Sequence, residues 1–190
     1  MSLSVGRNHW TMLAFLKERM RRDLQFSRIF LVDFAASAAY AAATLFLIAL
    51  SEPKPLGAGA LIFAGLAYTV LFSLKILLVI YLEKRGGDAR EFVGSDTLVT
   101  SGVYAFSRNP VYVISLLQSL AWSLGLIGLV AAAHCCAWLG YLLAPTLLYA
   151  HYWGMDRLIV PNEEAALRAR HPEAFAAYCA RVNRWFGRRR

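Results

Sequence analysis

The sequence has only three cysteines in 190 residues, and none of them stands in a Cys-x-x-Cys or Cys/His spacing. They are therefore interpreted as reduced thiols, and no metal site is expected. Cys135 and Cys136 lie in an apolar stretch and should pack as small hydrophobic side chains, while Cys179 lies in a basic tail. The polar first 28 residues lack the short apolar core of a cleaved signal peptide, so none is expected.

Charge is also scarce over long parts of the chain. Charged residues make up 17% of the sequence and hydrophobic residues 58%, which exceeds the usual apolar share of a soluble domain. The excess lies in four blocks of about 20 residues, a length that crosses a ~30 Å hydrocarbon core as a helix. The blocks cover residues 29–50, 61–82, 111–129 and 134–153. The sequence therefore predicts an all-α integral membrane protein with about four transmembrane helices, the last two forming a tight hairpin.

The basic residues predict how the chain is oriented in the membrane. Eighteen of the 20 Lys and Arg residues lie in residues 1–28, in the loop 83–110 and in the tail after residue 153. Four spans place these segments on one side, and the positive-inside rule makes that side the cytosol, here of a bacterial inner membrane. The net charge of +8 then reflects orientation and attraction to anionic membrane lipids. Nucleic-acid binding is not expected.

The organisation of the chain is interpreted as a single domain over residues 1–190. Residues 1–28 carry apolar side chains at helical spacing, among them Trp10 and Leu13, which predicts an amphipathic helix on the inner leaflet. That helix is either a topology anchor or a lid over an active site. Two spans and a polar connector follow in residues 29–93, and the hairpin with its helical tail occupies residues 94–190. Oligomeric state is not determined by the sequence.

Two charged side chains lie inside the apolar blocks, Asp33 in the first and Lys75 in the second. Both lie within about three turns of the cytosolic ends of their helices. An unpaired charge at that depth is costly, so the first expectation is an ion pair between them. The alternatives are that Lys75 extends to the membrane interface, or that these side chains contact a cofactor.

A compact polar loop precedes the third block at residues 100–112. Glycine allows a tight turn there, and proline favours the first turn of a helix, which makes Asn109 a predicted N-cap. Free N–H groups at the helix start and the cation of Arg108 favour a negative group, and two tyrosines offer aromatic faces. The loop is thus either a structural anchor or a ligand site. Its candidate residues are Gly102, Tyr104, Arg108, Asn109, Pro110 and Tyr112.

A pair of acids, Glu163 and Glu164, follows the last apolar block. Acidic residues stabilise a helix N-terminus, which is the structural interpretation of this pair. The functional alternative is that the carboxylates accept hydrogen bonds from ribose hydroxyls or from an ammonium group.

These segments together resemble a known family. The pattern is Thr-x-Gly-x-Tyr-x-x-x-Arg-Asn-Pro-x-Tyr over residues 100–112, a hydrophobic hairpin, Glu-Glu-x-x-Leu over 163–167, and a helical tail to about residue 186. In this order and spacing the chain resembles the isoprenylcysteine carboxyl methyltransferases, which share their core with phospholipid N-methyltransferases. Two departures stand out: Asn109 occupies the position of a common histidine, and His171-Pro172 replaces a Phe-Gly pair.

The resemblance implies S-adenosylmethionine as cofactor, held between the loop before the hairpin and the segment after it. Gly102, Tyr104, Arg108, Asn109, Pro110 and Tyr112 would line one side, and Glu163 and Glu164 the other. Arg181 and Arg184 match basic positions near the substrate end of the family's site. Arg108, Arg181, Arg184 and Glu164 are accordingly the predicted catalytic residues.

The resemblance leaves the methyl acceptor open. Asn109 cannot shuttle protons near neutral pH, which favours an acceptor that is already ionised, such as the carboxylate of a prenylated cysteine or a similar lipophilic molecule. Arg108, Arg181 or Arg184 could then hold that carboxylate. The alternatives are N-methylation of a phospholipid headgroup, S-methylation of a small thiol, a nicotinamide-dependent reductase of the related sterol-reductase kind, and a non-enzymatic membrane protein.

Overall fold

The computed structural model of the chain describes residues 31–50, 55–85, 97–131 and 137–188. Within these ranges the protein is all-α, which confirms the predicted fold class. The interfacial helix predicted in residues 1–28 lies outside the described residues. The elements are α1 (Leu31–Leu50), α2 (Pro55–Lys84), a 3₁₀ turn (Gly102–Ala105), α3 (Pro110–Ala131), α4 (Ala137–Gly154), a π turn (Met155–Ile159), α5 (Val160–Arg170) and α6 (Pro172–Arg181).

Three of the described helices are long and apolar enough to cross a membrane. They are α1, the stretch Pro55–Leu82 of α2, and α3. Helix α4 has 18 residues and contains Pro145 and His151, and it is not among the three. The predicted count of four spans is therefore not confirmed by length and composition.

Helix α3 is the central helix of the bundle. In its most apolar stretch of 18 residues, 50% of the residues are buried, compared with 11% for the corresponding stretch of α1 and 6% for that of α2. The contact of α3 with α2 relies on small residues, since a Cβ at Gly125 or Gly128 would collide with the methyl groups of Ala64 and Ala60. Small residues let helix backbones approach closely in a membrane, where lipid supplies no hydrophobic driving force for association.

One buried cluster, called the upper core here, joins α1, α3 and α4. Tyr40 and Leu47 of α1 pack in one buried cluster with Leu126 and Leu129 of α3 and Ala144 of α4. The Tyr40 hydroxyl lies 2.8 Å from Ser123 Oγ, which donates to the Ala144 carbonyl at 3.0 Å. Buried hydroxyls are thus satisfied between helices, as the apolar surroundings require.

The lower core holds the polar loop against the tail. Leu78 of α2, Tyr104 of the 3₁₀ turn, Val111 of α3, and Phe175 and Tyr178 of α6 form a second buried cluster. Because α6 presents its apolar face to this cluster, the polar segments on both sides of the hairpin meet at one end of the bundle. That end carries the candidate site.

Candidate functional site

The loop before α3 turns sharply at Gly102. This residue has φ +62°, a left-handed conformation that a glycine adopts without strain. A Cβ at this position would also collide with the hydroxyl of Tyr81 on α2. The turn sends Tyr104 into the lower core, where the Tyr178 hydroxyl donates to its carbonyl at 2.7 Å. Burial, followed by the charge of Glu163, raises the pKa of Tyr104 far above its usual value, so its hydroxyl stays protonated.

Backbone hydrogen bonds join this loop to the tail after α6. Arg108 N donates to the Asn183 carbonyl at 3.2 Å, and Gly187 N donates to the Phe106 carbonyl at 2.7 Å. Asn109 precedes the first residue of α3, as predicted, and its Nδ2 donates to the Arg184 carbonyl at 3.1 Å. The two polar segments that bracket the hairpin are therefore one structural unit.

Glu164 lies at the centre of a set of ion pairs. Arg184 binds it twice, with Nε donating to Oε1 at 3.1 Å and Nη2 to Oε2 at 2.8 Å. Arg108 Nη2 lies 3.1 Å from the same Oε1, and the side chains of this pair are only 8% and 11% exposed. Arg184 Nη1 also donates to Asp156 Oδ1 at 3.2 Å. Glu164 thus connects the loop, the end of the hairpin and the tail.

Glu163 has a different environment from its neighbour Glu164. It is buried and accepts a hydrogen bond from the Tyr112 hydroxyl of α3. No Lys or Arg side chain in the described part of the chain contacts it. Burial raises the pKa of Glu163 to about 8, the Tyr112 hydrogen bond opposes this shift, and the charge of Glu164 adds to it. Near neutral pH, the Glu163 carboxyl group therefore carries a proton in much of the population.

A π turn sets the direction of both acids. Helix α4 continues through Met155–Ile159 directly into α5, so the turn adds one residue within a continuous helix. Pro161 lies two residues after the turn and cannot donate to a carbonyl of the preceding turn, which explains why regular α geometry is interrupted here. The wider turn determines which face of α5 carries Glu163 and Glu164 toward the loop.

The structure brings most of the predicted site residues together. Arg108, Asn109, Tyr112, Glu163, Glu164 and Arg184 are linked by the contacts above. Gly102 forms the turn, Tyr104 lies beneath the site, and Pro110 begins α3. Arg181 is the exception, because it is exposed and its Nε donates to the Ala177 carbonyl of its own helix at 3.3 Å.

No protein-family model, curated protein or solved structure matches this chain. The family resemblance, the cofactor and the residue roles that it implies therefore remain predictions. What the structure adds is the geometry of the site.

Two further residues of the site were missed by the sequence interpretation. Asp156 accepts from Arg184 and also from Trp185 Nε1, at 3.2 Å in both cases. The Trp185 ring lies 5.4 Å from that of Tyr152, measured between centroids. A signal existed for Asp156, since it is the first acid after a long uncharged stretch. Nothing in the sequence pattern indicates that Trp185 donates to it.

A second polar cluster lies inside the membrane-spanning part of the bundle. Lys75 Nζ is 2.7 Å from Asp33 Oδ2, which confirms the predicted ion pair. Two partners were not predicted: Ser115 Oγ accepts from Lys75 at 2.7 Å, and His151 Nε2 lies 3.2 Å from Asp33 Oδ1. His151 Nδ1 in turn lies 2.5 Å from Ser119 Oγ. No group of three potential metal ligands occurs among the described residues.

Proposed function

We propose that this protein is an integral membrane methyltransferase that uses S-adenosylmethionine and acts on the carboxylate of a prenylated cysteine or a similar lipophilic acceptor. The observation that best supports the proposal is a buried acid without a contacting cation in the same site as a buried donor without an acceptor. Glu163 has no contacting cation, and the buried Arg108 Nε has no hydrogen-bond acceptor, among the described residues. Both groups lie where the loop before α3 meets the segment after α4.

The proposed cofactor carries charged groups that would pair with these two side chains. S-adenosylmethionine carries a sulfonium cation and an amino-acid end with both an ammonium and a carboxylate. Glu163 would hold a positive group of the cofactor, and Arg108 Nε would donate to its carboxylate. When bound, the cofactor supplies a methyl group that is already activated by the sulfonium charge.

The carboxylate acceptor requires little of the protein beyond positioning. A carboxylate is ionised at neutral pH, so no base is needed, and the site has to align the acceptor and exclude water. Arg108 and Arg184 already bind Glu164. Arg181 contacts no carboxylate in the described part of the chain, but it is exposed and is not brought together with the other site residues, so no role in holding the acceptor is assigned to it.

A second acceptor class is favoured by Glu163. An amine must lose its proton during methylation, and a base with a pKa near the working pH accepts that proton most effectively. In this alternative Glu163 accepts the proton of the amine instead of holding a positive group of the cofactor, and its pKa, raised by burial to about 8 when no cation is bound, meets this condition. The alternative function is therefore N-methylation of a phospholipid headgroup.

Calorimetry on the detergent-purified protein tests the cofactor assignment. S-adenosylhomocysteine is the matched ligand, because it lacks only the methyl group and the sulfonium charge. If Glu163 pairs with the sulfonium, Glu163→Gln should weaken the binding of S-adenosylmethionine at least ~10-fold, or about 1.4 kcal/mol. The same substitution should weaken the binding of S-adenosylhomocysteine much less. Glu173→Gln, at an exposed acid on α6, is the control. Failure of the wild-type protein to bind S-adenosylmethionine would refute the proposal.

A transfer assay then separates the acceptor classes. Protein in vesicles is given cofactor with a labelled methyl group, together with either a farnesylated cysteine analogue or phosphatidylethanolamine. Label in a base-labile methyl ester supports the carboxylate acceptor, and label in the headgroup supports the amine. Cofactor binding without transfer to either acceptor would show that both acceptor assignments are wrong.

A further inference from the structure

A cavity of about 460 Å³ lies between the spanning helices, apart from the site described above. Its size falls in the range of ligand-binding pockets. It is lined by residues of α1, α2 and α3 and by His151 of α4. Ser115, on its wall, lies one turn of α3 beyond Tyr112, so the cavity begins about 4.5 Å further along the helix axis from the cytosolic end.

One wall of the cavity is the polar cluster of Asp33, Lys75, Ser115, Ser119 and His151. Within this cluster the hydroxyl groups are engaged. Ser115 Oγ donates to the carbonyl one turn before it at 3.4 Å while accepting from Lys75. A carboxylate only accepts, so His151 donates from Nε2 to Asp33, and its Nδ1 lies 2.5 Å from the Ser119 hydroxyl.

Donor groups on this wall have hydrogen-bonding capacity left over. Lys75 has three N–H bonds, and Asp33 and Ser115 account for two of them. Gln118 lines the cavity, its side chain is 5% exposed, and its Nε2 finds no acceptor in the parts of the chain that the structure describes. A buried amide N–H without an acceptor is destabilising, so its presence beside a cavity points to a missing acceptor.

The charge of the cluster restricts what that acceptor is. Lys75 is already paired with Asp33 at 2.7 Å, so its charge is not free to balance an added anion at this depth. A neutral oxygen acceptor, such as a carbonyl, satisfies Gln118 and Lys75 without adding charge. It also needs no proton from the cluster.

The mouth of the cavity opens toward lipid. Phe34 and Phe72 line the cavity and are 60% and 49% exposed, on helices whose free faces would contact the hydrocarbon core. Tyr68 and Trp122 form further aromatic walls. A ligand entering from the bilayer would thus meet apolar walls first and the donor groups last.

We propose that this cavity binds a neutral, carbonyl-bearing amphiphile from the bilayer, with its carbonyl oxygen at Gln118 and Lys75 and its apolar tail leaving past Phe34 and Phe72. The proposal stands whether or not the cytosolic site binds S-adenosylmethionine, since none of its residues belongs to that site.

Photolabelling in lipid nanodiscs tests the proposal. The probe is a diazirine-bearing fatty acid methyl ester in discs of phosphatidylcholine and phosphatidylglycerol. The matching free acid, ionised near neutral pH, is the charged comparison. We expect the ester to label cavity-lining residues of α1, α2 and α3, competed by unlabelled ester, and the acid to label them weakly.

Two variants remove the site by different means. Gln118→Leu removes the unsatisfied donor, and it should lower labelling about fivefold without lowering Tm. Gly65→Leu fills the cavity, because Gly65 lines it and a Cβ there meets nothing within 4 Å. Gly59→Leu, equally unobstructed on the same helix but outside the cavity lining, is the control and should label as wild type does.

Each outcome decides the proposal. Loss of labelling in Gln118→Leu and Gly65→Leu with retention in Gly59→Leu supports it, and either variant suffices if the other does not fold. Equal labelling of all four proteins, or labelling confined to residues outside the cavity, overturns the site. Labelling by the free acid as strong as that by the ester overturns the neutral head group.

Discussion

Glu163 and Glu164 are adjacent acids with opposite electrostatic situations. Glu164 binds two arginines, whereas the hydrogen bond from Tyr112 is the one polar contact of Glu163 within the described residues. Burial without a counter-cation disfavours the charged form, which is why the pKa of Glu163 is raised to about 8. A bound cation would reverse this by stabilising the carboxylate.

If S-adenosylmethionine binds beside Glu163 as proposed, this difference should make its binding depend on pH. Since a cationic ligand lowers the pKa of Glu163 from about 8, binding below that pH releases a proton. Affinity should therefore rise by up to ~10-fold per unit between about pH 6 and pH 8, and then level off. Calorimetry in two buffers of different ionisation enthalpy measures the released proton. Glu163→Gln should abolish the dependence, and an unchanged slope in that variant would assign the proton to another group.

Arg184 connects three parts of the chain through one guanidinium. Its three nitrogens reach both oxygens of Glu164 and one of Asp156, which an ammonium group cannot do in the same planar geometry. Arg184→Lys should therefore lower Tm by more than Arg181→Lys, in which an exposed side chain is changed. We expect a difference of about 1 kcal/mol in stability, reduced by the partial exposure of Arg184. Equal melting temperatures would show that the bridge contributes no stability.

The π turn is the element that controls the site. A residue inserted or removed within a continuous helix rotates everything beyond it by about 100° relative to the preceding helix. The turn therefore determines whether the two acids of α5 face the loop or the solvent.

Deleting Arg157 tests this role. Its side chain is 70% exposed, so its loss removes little packing. The deletion should remove the extra residue of the π turn, rotate α5 by about 100° and turn Glu163 and Glu164 away from Tyr112 and Arg184. We expect cofactor binding to be lost while circular dichroism still reports a helical protein. Arg157→Ala, which keeps the register, should bind normally. Retained binding in the deletion would show that α5 adjusts independently of α4.

At the scale of the whole molecule, the loop–tail hydrogen bonds constrain membrane topology. Arg108 N donates to Asn183 O, so the start of α3 and the segment after α6 lie on the same membrane face. Helix α3 is apolar enough to cross, and the chain must then return to that face. The 18 residues of α4 span about 27 Å as a helix, close to the hydrocarbon thickness.

We therefore predict that α4 is the return span and that the tail is cytosolic. A green fluorescent protein fused after residue 190 should fluoresce, and alkaline phosphatase inserted between residues 132 and 136 should be active. The same phosphatase fused after residue 190 should be inactive. Activity of that last fusion would place the tail outside the cell and contradict both the charge-based orientation and the return through α4.

The sequence alone predicts the helical class and the segments that meet, but not the pairings inside the site. Long apolar segments are stable in a membrane as helices, because a helix satisfies its own backbone hydrogen bonds. Asp33 and Lys75 could be paired from the sequence because the depth of each charge follows from counting residues from the end of its helix. Arg108, Arg181 or Arg184 was predicted to hold a substrate carboxylate, and the structure shows Arg108 and Arg184 bound to Glu164. Which of several nearby opposite charges pair depends on side-chain positions accurate to an ångström, and a sequence pattern does not carry that information.

The sequence by itself determined that this chain is helical and membrane-spanning, because backbone hydrogen bonds must be satisfied within apolar segments of bilayer length. It also predicted that the basic segments lie on one side, since 18 of the 20 Lys and Arg residues lie in segments that alternating spans place together. Only the tertiary structure decided that a π turn directs Glu163 toward Tyr112, and that His151 joins Asp33 beside a cavity with an unsatisfied Gln118. Those features arise from the packing of helices distant in sequence, where a one-residue change in register alters which groups meet.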